Sequence, residues 1–71
     1  QVDYLGAHKH FLQSANLGNA EASRYLGLMY LRGKGVEKNL ETSVEWFEKA
    51  ANGGDLLAQK NLVTLKSMLE K

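Results

Sequence analysis

His8 and His10 are the only histidines in a chain of 71 residues that has no cysteine, so imidazole or metal chemistry would have to start from them. Residues two apart on a helix point about 200° from each other, whereas a shared metal ion needs an i, i+4 pair on one face. The two rings therefore read as one exposed and one partly packed. Gly33-Lys34-Gly35 places glycines around a lysine, but a phosphate-cradling loop needs four residues between its glycines, a Lys-Ser/Thr ending and a strand before it. A turn is the simpler reading. The serines fall inside helical patterns, none at a strand-to-helix elbow that would present a nucleophile. Without cysteine, disulfides, thiolate zinc sites and thiol catalysis are excluded together. These residues predict no catalysis, no metal and no cofactor.

Two further groups could support binding. Trp46 is a possible ligand platform, yet Phe47, Ala50 and Ala51 beside it favour burial between helices. Glu41, Glu45 and Glu48 stand at i, i+4 and i+7, opposite Ser43, Phe47 and Ala50. With Lys49 one turn after Glu45, they read as a solvated outer face.

The elements that would hold these residues follow from a repeat. Phe11, Ala15, Asn16, Gly18, Ala22 and Leu26 recur as Phe47, Ala51, Asn52, Gly54, Ala58 and Leu62, a spacing of 36 residues. Periods between about 20 and 50 residues mark arrays of small units that bury their apolar sides only by stacking. Proline is absent, and most of the seven glycines fall where a helix would stop. Four helices are predicted: one from an Asp3 cap to Leu17, then about Ala20 to Arg32, Leu40 to Asn52 and Leu56 to Glu70, the last three capped by Asn19, Asn39 and Asp55. Their inward stripes are Tyr4, Ala7, Phe11, Ser14 and Ala15; Ala22, Leu26, Met29 and Tyr30; Leu40, Ser43, Val44, Phe47, Ala50 and Ala51; and Ala58, Leu62, Leu65 and Leu69. Val36 plugs the loop between the second and third helices. Short loops at Gly18 and at Gly53-Gly54 require antiparallel neighbours.

Composition agrees with this picture. Hydrophobic residues at 44% and charged residues at 24% lie in the ordinary globular range. A chain this short buries only about 60% of its unfolded surface, so its stability is marginal. A net charge of +1 lacks the basic footprint of a nucleic-acid binder. The apolar run from Leu26 to Leu31 is far shorter than the roughly 20 residues a bilayer requires. Opening on Gln1 rather than Met, the chain reads as a processed or excised segment.

Leu26-Gly27-Leu28-Met29-Tyr30, the loop Gly33-Lys34-Gly35-Val36 and the helix Trp46-Phe47-Glu48-Lys49-Ala50-Ala51 occur in an order and at a period that resemble the Sel-one-like repeat, a relative of the tetratricopeptide repeat. The resemblance implies an all-α fold, an alpha-alpha superhelix built as a right-handed stack of antiparallel helical hairpins. It divides residues 1–71 into the second helix of a partial repeat (1–18), a complete repeat (19–54) and the first helix of a terminal or eroded repeat (55–71). Departures are visible. Glu37-Lys38-Asn39 replaces the family's usual proline-containing loop, His10 stands at the usual Trp position, Ser43 at a usual Ala, and Val63, Thr64 and Lys66 interrupt the Gly-x-x-Tyr pattern. That last change makes the fourth helix resemble the C-terminal end of an array.

The resemblance also implies an adaptor that assembles protein complexes. In tetratricopeptide-like stacks the first helix of each hairpin lines the concave face. Once Leu26, Gly27 and Tyr30 are assigned to packing, Glu21, Arg24, Leu28, Leu31 and Arg32 remain, with Leu57, Lys60, Thr64, Ser67 and Met68 one period later. We expect Arg24, Leu28, Leu31, Arg32, Lys60, Thr64 and Ser67 to bind an acidic or amphipathic protein segment, with Arg24 or Arg32 forking onto a carboxylate. Neither nucleic acid nor membrane insertion is expected. Two alternatives stand beside this reading. One is a structural cap or self-association segment that uses the open face of the first helix around Tyr4, His8 and Phe11. The other, implied by the resemblance alone, is a regulatory subunit of an envelope enzyme.

Overall fold

The computed structural model describes residues 3–70. Four α-helices follow one another: α1 (Tyr4–Asn16), α2 (Ala20–Arg32), α3 (Leu40–Asn52) and α4 (Leu56–Leu69). Every start is set by an Asx side chain that accepts the backbone N–H three residues on, from Asp3 to Gly6 and from Asn19, Asn39 and Asp55 to Ala22, Thr42 and Ala58. Such caps satisfy donors that the first helical turn leaves free. Gly18 and Gly54 sit at φ of 95° and 96°, a conformation that costs glycine little and lets three-residue turns reverse the chain. Helical hairpins therefore form at both places, and the 36-residue period is visible in the backbone itself.

The hairpins stack into an all-α, tetratricopeptide-like array. α2 and α3 share the largest interface, followed by α3 with α4 and α1 with α2. Phe47, Ala50, Ala58 and Leu65 form a buried cluster, against which Leu28, Leu31, Val44, Ala51 and Leu62 pack. Leu26 and Phe47 are fully buried, each worth about 1.5–3 kcal/mol of hydrophobic stabilisation. The molecule measures 33 × 24 × 17 Å, so its short dimension holds only two helix diameters of about 10 Å. Helices in so thin a slab keep open faces.

α1 has the most open one, since it contributes no buried residue. Tyr4 of its expected inward stripe is exposed, as is Leu69 at the end of α4. His10, at the usual Trp position, is expected to be the partly packed ring and His8 the exposed one, and the structure shows the reverse. His8 is half-buried, with Nε2 3.5 Å from the Tyr30 hydroxyl, while His10 is exposed against the edge of Phe11. Trp46 is half-buried rather than enclosed. Lys49 turns to its ring, with Nζ 4.6 Å from the centroid, instead of pairing with Glu45.

Candidate functional site

Arg24 does not belong to an open groove. It is buried, and its Nε donates to Asp55 Oδ2 at 3.0 Å. The guanidinium also stands 3.5 Å from Glu21 and lies 4.7 Å from the Tyr25 ring centroid, and Tyr25 stacks on Phe11 at 4.9 Å. Asp55 is the α4 cap, with its other oxygen accepting from the Ala58 N–H. One side chain thus ties α2 to the first turn of α4. Burial opposes the charge of both groups, but the opposing forces win. Asp55 holds the guanidinium above its ordinary pKa, while the Ala58 N–H and Arg24 hold the Asp55 carboxyl below its own. Arg24 is therefore unavailable to fork onto a partner carboxylate, because an internal carboxylate already occupies it.

The remaining expected residues separate by exposure. Leu28 and Leu31 are half-buried, closing the Phe47 cluster from above. Arg32, Lys60, Thr64 and Ser67 are exposed. Leu57 and Met68 flank them on α4 with 55% and 56% of their surface open. Leu57, Lys60, Thr64 and Met68 follow helical spacing and share one stripe on α4, and Glu21, Tyr25, Leu28 and Arg32 share one on α2. The α2 and α4 stripes thus mix apolar side chains with the cations Arg32 and Lys60, and Glu21 adds one exposed carboxylate at the start of α2. On α3, by contrast, Glu41 and Glu45 are exposed, and Glu48 reaches Lys66 at 3.5 Å.

A groove of about 400 Å³ runs between α1 and α2 and shares Tyr25, Leu28 and Arg32 with the α2 stripe. Tyr4, Ala7 and Phe11 form one wall, Tyr25, Leu28 and Met29 the other, and Arg32 and Lys34 stand at its edge. Among the described residues no group of three or more His, Cys, Asp or Glu could hold a metal ion, and no helix is long and apolar enough to cross a membrane.

The family model for the Sel1 repeat matches residues 1–19 and 20–55. The chain belongs to the Sel1 repeat family. Curated relatives include DAP3-binding cell death enhancer 1 of Rattus norvegicus, 36% identical over 64 residues that cover 90% of this chain and 13% of the relative. Chitin synthase regulator SKT5 of Saccharomyces cerevisiae is 41% identical over 62 residues, 87% of this chain and 9% of that protein. The chain thus spans about a tenth of the length of each. No solved structure matches it significantly. Sel1 repeats generally mediate protein–protein interaction, and both relatives carry names of binding or regulatory proteins.

Two features of this Sel1 chain are not apparent in its sequence. Ser43, which reads as a plain substitute for a small alanine, is fully buried and donates its hydroxyl to the Gly27 carbonyl at 2.7 Å. Tyr25 joins Phe11 of α1 to Arg24. Tyr25 and Phe11 lie within the 36-residue echo and its flanks, but nothing local marks them as stacking partners.

Proposed function

We propose that this chain is a non-enzymatic interaction module that docks a polypeptide segment on its α2–α4 face. Leu28 and Leu31 form the floor, Leu57 and Met68 are the open apolar anchors, and Arg32 and Lys60 are the cations. Thr64 and Ser67 supply small polar contacts between them. The observation that carries this reading is the exposure of Leu57 and Met68 on the same α4 stripe as Lys60. Apolar anchors about three helical turns apart with a cation between them suit an amphipathic segment that carries carboxylates. Arg24 acts in this reading as a support for the face, not as a contact.

The expected test is affinity capture with the full-length protein that contains this unit. Replacing Leu57, Lys60 and Met68 by Ser, Glu and Ser should remove the captured partner while leaving the melting temperature within about 2 °C, because exposed side chains contribute little to stability. Replacing Glu41 and Glu45 by Lys should leave capture intact. The reverse pattern would assign docking to α3.

A further inference from the structure

Sulfur is confined to two methionines, Met29 and Met68, because the chain has no cysteine. The fold separates them. Met29 lies in α2 with 7% of its surface open, whereas Met68 stands on the outer stripe of α4 with 56% open. A peroxide oxidises a thioether where it can reach the sulfur, and the thiols that would react ahead of it are absent. Among the described residues Met68 is therefore the one exposed sulfur, and it is also one of the two open apolar anchors of the docking face.

We propose that Met68 is a redox-sensitive modification site, where a peroxide switches the docking face off and a methionine sulfoxide reductase switches it back on, a role that rests on the docking reading above. In the forward step a lone pair of the Met68 Sδ attacks one oxygen of hydrogen peroxide and the O–O bond breaks. A proton shift between the two oxygens leaves a sulfoxide and water, with sulfur oxidised by two electrons and the peroxide reduced by two. Two thiols of the reductase reverse the change, leaving the thioether, a disulfide and water.

The surroundings decide what the new oxygen does. In the free chain water solvates it, and α4 stays attached through its buried residues Ala58 and Leu65. Beneath a partner it needs a donor. Thr64, one turn earlier on the same stripe, gives its hydroxyl to the Lys60 carbonyl at 3.4 Å, and Lys66 reaches Glu48 at 3.5 Å. A segment that carries carboxylates brings acceptors rather than donors. Oxidation thus turns an apolar anchor into a polar group that binding desolvates without a hydrogen bond, which should weaken docking at least about tenfold. Leu57, the other anchor, has no oxidisable atom, so the sensitivity belongs to the Met68 end of the stripe.

Hydrogen peroxide added in steps to the chain, followed by peptide mass spectrometry, tests the site. With 56% of its surface open against 7%, Met68 should oxidise about eightfold faster than Met29, and the two rates should converge in urea. The melting temperature should stay within about 2 °C after Met68 is oxidised. Full-length protein tests the switch. Peroxide should weaken capture of the partner that the untreated protein binds, and methionine sulfoxide reductase should restore it. In Met68→Leu, peroxide should leave capture at that variant's own untreated level. Met29 oxidised as fast as Met68, or a melting temperature lowered by more than about 5 °C, would overturn the proposal. Capture that survives complete oxidation of Met68, or that peroxide removes equally from Met68→Leu, would overturn it as well. The docking reading fails by a different result, capture by untreated protein that survives replacement of Leu57, Lys60 and Met68 together.

Discussion

Arg24 shows how a residue suited to binding can be taken up by the fold. Its guanidinium, 10% exposed and 3.0 Å from an Asp55 carboxylate that is 11% exposed, loses water that Asp55 chiefly replaces, with Glu21 at 3.5 Å. Arg24→Ala should therefore destabilise the chain by about 2 kcal/mol, the scale for a hydrogen bond to a charged group, as read by urea denaturation. Asp55→Asn separates two roles, because asparagine still caps α4 while the ion pair is lost. It should cost less than Asp55→Ala. The pH dependence follows in sign from the same pair. The Asp55 pKa is lower in the folded chain than its unfolded reference of 3.8, so the pair's stabilisation is fully present above that value. It is lost as pH falls below about 4 towards the folded pKa. A urea midpoint that falls on acidification in the native chain should fall less in Asp55→Asn. An equal fall in both would place the acid sensitivity elsewhere. None of this was legible at Arg24 itself. Its helical position resembles that of an exposed cation, and the carboxylate that claims it lies 31 residues away. The same limit applies to His8, whose neighbour Tyr30 comes from another helix.

At the scale of helices, most of the architecture was legible because it is local. Four Asx caps and the two positive-φ glycines of the hairpin turns set the boundaries, and each acts within four residues of its own position. Helix contacts were legible only where residue size forces them. Gly27 is such a place, since Phe47 and the Ser43 hydroxyl press on α2 there. Gly27→Val should overpack this contact and cost about 3 kcal/mol or more, enough to unfold a domain this small. Calorimetry checks it, with Gly27→Ala expected to be milder. Ser43→Ala should cost about 1 kcal/mol, because the Gly27 carbonyl keeps its helical partner and loses one extra donor. Exposure at the ends of elements was not legible from periodicity. Leu69 fits the α4 stripe yet keeps 45% of its surface open.

At the scale of the molecule, a slab two helices thick presents surfaces rather than an enclosed cavity. The α2–α4 face carries exposed apolar anchors and cations, while the α1/α2 groove repeats a surface that α2 covers one period later. Tyr25, Leu28 and Arg32 belong to both surfaces, so an occupant of the groove would meet residues of the docking face. The 36-residue period distinguishes them. Phe11 and Phe47 keep the scaffold constant, whereas Leu28 against Thr64 and Arg32 against Met68 change the face between periods.

Site-specific photocrosslinking tests the docking face most directly. A photoreactive residue at position 64 of α4, in the full-length protein, should crosslink to the bound partner, and the same residue at position 45 of α3 should not. Crosslinking from position 45 with none from position 64 would contradict the account.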